Sequence, residues 1–294
     1  MDLPNRSKTS LGLVATALVL LAAILALVGS VGACGVEAKA YLNLMSAVPM
    51  SCGHFTYWDT AEIDDDPHLW PISDKFEESA AAKQVDDLIP VLSRVKQSAK
   101  AVSYENATAP NPATLLRGDF DAKFVKGRLE TMGYIEKLYK NVGIWTLQDG
   151  QTPNSVALKY PTILVGDATG LEAYIDVVTK GNAQSLDEDP DIQMLTERLP
   201  NGVIVGIDRA SPTNEEQYAN LVAYGKSYTK ADKDTLKVTA VYLFANGPAA
   251  GSAQEDIEDY LEDGFEQIKV KRDGNFIIAT AQISISEFAE SLTF

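Results

Sequence analysis

The chain has 294 residues, 46% of them hydrophobic, and a formal net charge of −16. That hydrophobic fraction supports a packed core and excludes a wholly disordered chain; the acidity repels phosphate backbones and excludes nucleic acid as a partner. Two cysteines, Cys34 and Cys52, cannot build a disulfide framework, so stability rests on the core.

The N-terminus sets the expected address. Arg6 and Lys8 stand against Asp2, and no charged residue occurs from Leu11 to Val31. A secretory signal has a basic start and an apolar middle of roughly 7–15 residues. This run is longer and reaches the ~20 residues of a membrane-spanning helix. A third reading comes from Val31-Gly32-Ala33-Cys34-Gly35, which resembles the bacterial lipobox. In that family the cysteine thiol takes a diacylglycerol and the chain is cut just before it. The resemblance implies that Cys34 is a lipid attachment point and residues 1–33 a signal. Val31 replaces the usual Leu, and Gly32 the usual Ala or Ser. In all three readings Arg6 and Lys8 stay on the cytoplasmic side and the body lies outside the membrane.

Residues 34–52 read as a tether, and Phe55–Asp59 is aromatic and β-prone. Asp64–Asp74 carries Pro67 and Pro71 and reads as a turn-rich loop. Val85, Leu88, Ile89, Leu92 and Val95 follow helical spacing and predict a helix over 76–100, with a break or kink at Pro90. Strands are predicted over 101–106 and 113–120. Asp121 then caps a helix with Phe124, Val125, Leu129 and Met132 on one face, stopped by Gly133. Strands follow over 143–147, 155–160 and 162–166, then a helix over 167–180 with Leu171, Tyr174, Ile175 and Val178 inward. Residues 185–202 read as a loop and a short helix.

The second half opens with a strand over 203–208. Segments 221–230 and 236–246 form a hairpin turning at 230–234. A short acidic helix covers 254–263, with Ile257, Tyr260 and Leu261 inward. Residues 268–278 turn at Asp273-Gly274. Ile277, Ala279, Ala281, Ile283 and Ile285 alternate with Ile278, Thr280, Gln282, Ser284 and Ser286, the pattern of a strand with one buried face.

The halves, 53–182 and 183–294, echo each other. Each has strands, a helix ending in Gly plus an aromatic (Gly133-Tyr134, Gly264-Phe265), further strands and a closing helix. The expected fold class is α+β: two similar halves, each an antiparallel sheet with helices packed on one face. The alternative is one continuous curved sheet shared by both. Segments 115–134, 142–148 and 156–178 resemble bacterial surface lipoproteins of the DUF3352 type. That family carries no assigned activity, so the resemblance implies an architecture and an address.

Candidate chemistry is sparse. Cys52, His54, His68 and the run Asp64, Asp65, Asp66 are metal-ligating types, with Cys52 and His54 expected on the same side of a strand. Zinc needs three or four firm ligands, and the expectation is a buried Cys52, a capping His54 and solvated aspartates. The other acidic stretches lack EF-hand spacing. Ser93–Lys96 matches SxxK on the predicted helix, without its companion motifs. No GxSxG stands ready to serve His54 or His68. The segments 165–170 and 181–185 lack the lysine of a phosphate loop. Tyr57, Trp58, Trp70, Trp145 and Tyr160 read as core first and ligand groove second. Asn106-Ala107-Thr108 is a glycosylation sequon.

No catalytic residue and no cofactor is expected. The expected function is a membrane-anchored accessory protein with a protein partner outside the cytoplasm. The alternative is a lipoprotein that binds a solute or divalent cation between the halves. A hydrolase using Ser93 or a histidine is a third reading.

Overall fold

The computed structural model describes residues 39–78, 95–103, 111–147, 155–181, 183–210, 218, 220–262 and 264–292. Twelve strands pair there: β1 (Cys52–Trp58), β2 (Val95–Ser103), β3 (Asn111–Gly118), β4 (Ile135–Tyr139), β5 (Val142–Thr146), β6 (Ser155–Lys159), β7 (Thr162–Gly166), β8 (Ile204–Arg209), β9 (Leu221–Lys230), β10 (Thr235–Phe244), β11 (Glu266–Asp273) and β12 (Phe276–Ser284). They form one sheet in the order β11-β12-β10-β9-β8-β1-β2-β3-β7-β6-β5-β4. Every neighbouring pair is antiparallel. The fold is α+β, and the single shared sheet is the second of the two expected architectures. The halves fuse through β1 and β8, where Phe55 faces Ile207 and Tyr57 faces Val205. Unjoined, those two strands would each leave an apolar edge open to aggregation.

The helices are α1 (Leu42–Met45), α2 (Thr60–Asp65), α3 (Trp70–Glu78), α4 (Ala122–Thr131), α5 (Ala168–Val178), α6 (Pro190–Arg198), α7 (Gly247–Glu262) and α8 (Ile285–Ser291). They cover both faces of the sheet rather than one. On the face carrying Phe55 and Tyr57, α1, α5 and α6 bury Leu44, Met45, Leu171, Tyr174, Ile192 and Leu195 against the strands. On the opposite face, which carries His54, α4 covers β5–β7 through Val125 and Leu129. There α8 covers β8–β10 through Phe288, and α7 covers β10 and β12 through Ile257 and Leu261.

Local chemistry explains the termini. Asp121 accepts from the N–H groups of Lys123 and Phe124, and Asp167 from that of Gly170, capping α4 and α5 as expected. Gly133 ends α4 at φ +86°, a conformation that favours glycine. Ser284 caps α8 and converts the end of the alternating run into a helix, so Ile285 and Ser286 are helical.

Four expectations change. Residues 64–74, read as a loop, are the end of α2, a 3-10 turn at Pro67–Leu69 and most of α3. Asp59 and Asp66 supply caps, and Pro67 opens the 3-10 turn, where a missing N–H costs nothing. Residues 95–100 belong to β2, not a helix, because β1 and β3 pair with them on both sides. Residues 39–52, read as part of a tether, belong to the folded body: Tyr41, Leu44, Met45 and Val48 are wholly buried, and a compact unit begins at Lys39. The acidic helix starts at Gly247, and its Tyr260 is exposed.

Residues 1–33, Cys34, Val85–Leu92, Ser93 and Asn106 lie outside the described residues. Among the described residues no helix is long and apolar enough to cross a membrane.

Candidate ligand groove

Antiparallel pairing lines up three rows of side chains on the His54 face where the halves join. One row is His54, Asp208, Tyr224 and Tyr242. The next is Lys100, Thr56, Gly206, Lys226 and Ala240, and the third is Ser98, Trp58, Ile204, Tyr228 and Val238. Residues opposite one another share a face and touch. Above them lies a cavity of about 250 Å³. Its apolar end is built by Trp58, Ile204 and Tyr228 of the sheet with Phe288 and Leu292 at and just beyond α8. Its polar end holds Thr56, Asp208, Tyr224 and Lys226 around Gly206. A Cβ placed on Gly206 would meet nothing within 4 Å, so the floor opens directly into the cavity.

The polar end is tightly hydrogen-bonded. His54 Nδ1 lies 2.5 Å from Asp208 Oδ1, and His54 Nε2 lies 2.7 Å from Thr56 Oγ1. An ionised Asp208 can only accept, so Nδ1–H donates to it, and in the neutral imidazole Nε2 then accepts from the Thr56 hydroxyl. Burial, with the charge of Asp208 and a hydrogen bond to it, raises the Tyr224 phenol well above its ordinary value. Tyr224 stacks on Tyr242 with ring centroids 6.1 Å apart. At the apolar end Tyr228 packs on Phe288 at 4.4 Å.

Lys226 is the cation of the groove. Among the described residues it forms no salt bridge. Its Nζ sits over the Tyr260 ring, 5.9 Å from the centroid. Burial lowers its pKa, and the charge of Asp208 opposes that shift.

The order Thr56–His54–Asp208 matches the nucleophile–base–orienter chain of acyl-transfer enzymes. Those enzymes also aim N–H donors at the developing oxyanion. Here β1 pairs with strands on both sides, so its ladder N–H groups lie in the sheet plane and not toward Thr56. The network orients His54 and engages Asp208.

The metal-ligating types from the sequence do not converge. A β-bulge between Cys52 and His54 breaks the alternation and puts them on opposite faces. Cys52 is buried on the Phe55 face, 3.4 Å from the Tyr174 hydroxyl. His68 is exposed on the 3-10 turn. Asp64 accepts from Ser73 Oγ at 2.8 Å, and Asp66 caps His68 and pairs with Lys230. Asp65 is exposed. Among the described residues no group of three His, Cys, Asp or Glu could hold a metal. Lys96, the end of SxxK, pairs on β2 with Asp119 at 2.6 Å. Of the five aromatics, Tyr57 and Trp145 are core, Trp58 walls the groove, and Trp70 and Tyr160 are exposed.

Thr56, Asp208, Tyr224 and Lys226 carry no motif. Their one signal is the alternation Tyr224-Lys226-Tyr228 along 221–230, which sets a lysine among residues of one face. No protein-family model matches the chain, and neither the curated proteins nor the solved structures contain a match to it.

Proposed function

We propose that the protein is a non-catalytic binding protein, held to the outer face of the cell membrane by its N-terminal segment, that takes a small solute in the groove. One observation carries this reading: a half-buried lysine without an ion pair among the described residues, at the polar end of a cavity whose other end is walled by Trp58, Ile204, Tyr228, Phe288 and Leu292. Ligand sites have this composition, apolar walls with a few placed polar groups. The anchor is the lipid at Cys34 or the apolar segment 11–31; the mass of the N-terminal peptide separates them. A peptide starting at a diacylglyceryl Cys34 supports the lipid, and an intact Met1 peptide with unmodified Cys34 supports the helix. Native mass spectrometry of the full chain released from membranes tests the binding reading. A non-covalent small-molecule adduct that disappears in Gly206→Val is expected. An adduct-free wild type, or an adduct that survives the substitution, contradicts it.

A protein partner at the membrane surface is the second reading, favoured by the β4 edge. Ile135 and Leu138 are 54% and 67% exposed on that outermost strand. The opposite edge, β11, carries Lys269, Lys271 and Arg272, more of the cations that discourage strand addition than the single Lys137 of β4. Leu138→Lys is expected to abolish a cross-linked partner without changing the fold; an unchanged cross-link contradicts the reading.

A further inference from the structure

Resting on the solute-binding reading, we infer that the groove takes a small monocarboxylic acid with an apolar body. Its carboxylate meets Lys226, and its ring or chain lies among Trp58, Tyr228 and Phe288.

The charge follows from the absence of an ion-pair partner for Lys226 among the described residues. A cation drawn partly out of water is costly until it is paired, and the Tyr260 ring at 5.9 Å is a weak substitute for an anion. Asp208 is near enough to act on Lys226 electrostatically, but its oxygens serve His54, at 2.5 Å, and Tyr224. An incoming carboxylate supplies the missing partner. A cationic ligand meets Lys226 and is repelled. A dianion such as a phosphate monoester would set its second charge beside Asp208, so a single negative charge fits best.

The apolar body follows from the other end, where Tyr228 and Phe288 pack at 4.4 Å and Trp58 closes the wall. The size follows from the cavity. A cavity of about 150 Å³ lined by apolar side chains holds benzene, and about 250 Å³ leaves room for a ring and a carboxymethyl group.

Calorimetric titration of the full chain in detergent tests this with four probes. Phenylacetate supplies a ring and hexanoate a chain; 2-phenylethanol and phenethylamine keep the ring and change the charge. Phenylacetate or hexanoate is expected to bind, the alcohol about 10-fold or more weaker, and the amine not at all. Lys226→Met is expected to keep the thermal unfolding transition and to weaken the acid to the level of the alcohol. An alcohol that binds as tightly as the acid, or a preference that survives Lys226→Met, overturns the carboxylate assignment and leaves solute binding standing. No binding by any of the four overturns this ligand class, while the natural adduct in native mass spectrometry reports on solute binding separately.

Discussion

His54 and Asp208 face each other across the β1–β8 pair, the single seam between the halves of the sheet, with Nδ1 and Oδ1 2.5 Å apart. They are 154 residues apart in the chain. The same pairing that closes the sheet places the polar end of the groove.

Asp208 therefore supports the seam as well as the groove. Asp208→Ala leaves His54 Nδ1 and the Tyr224 hydroxyl without their acceptor. Urea unfolding is expected to show a loss of about 1–3 kcal/mol. An unchanged midpoint would remove the pair from the account of how the halves hold together.

Two glycines one residue apart in register report opposite faces. A Cβ on Gly225 would collide with Leu199 Cδ1 and meet Leu195 Cδ2 at 3.0 Å, beneath α6. Gly225→Ala is expected to cost about 1–3 kcal/mol by overpacking. Gly206→Ala enters open space and relieves a glycine inside a strand, a gain of about 0.5–1 kcal/mol. Paired denaturation curves with the reverse order would contradict the assignment of faces.

Lys226 gives the groove a pH signature. Its pKa is lowered from the ordinary 10.5, chiefly by burial, with Asp208 opposing. Between the lowered value and 10.5 the unfolded chain holds a proton that the folded chain has shed. The contribution of Lys226 to stability thus rises with pH across that window. Binding of a carboxylate runs the other way, because the anion needs the charged amine: affinity falls as pH rises through the folded pKa. Both trends are expected to vanish in Lys226→Met. Measured between neutral pH and pH 10, an affinity for phenylacetate that rises with pH would contradict the role given to Lys226.

α1 tests where the folded body begins. Leu44 is wholly buried against the central sheet. Leu44→Ala is expected to lower stability by about 2–5 kcal/mol; in a tether it would cost nothing, which denaturant unfolding distinguishes.

Much of the fold was legible locally. Period-two runs marked most of the strands, Asp121 and Asp167 marked helix starts, and Asp273-Gly274 marked a hairpin whose Gly274 sits at φ +62°. The misreadings share a cause: a local signal overridden by tertiary pairing. Helical spacing ending at Val95 concealed β2, whose Ala99 and Ala101 have little strand preference of their own and are held by the strands on either side. Pro67 and Pro71 read as breakers, although proline also opens helical turns. β4 was missed because it is an edge strand with almost no buried face. The groove was the least legible part. Strict alternation set Cys52 beside His54, and the bulge at that point is not written in residue types. Asp208 and Lys226 come to Thr56 only through a strand order that joins β1 to β8.

The most direct test of the groove as the site of a small monocarboxylic acid is one isotherm measured twice: phenylacetate titrated into the wild-type chain and into Gly206→Val, whose side chain would fill the cavity floor. The account predicts saturable one-to-one binding in the wild type and none in the variant, with both proteins folded. Equal binding in the two, or none in the wild type, would contradict it.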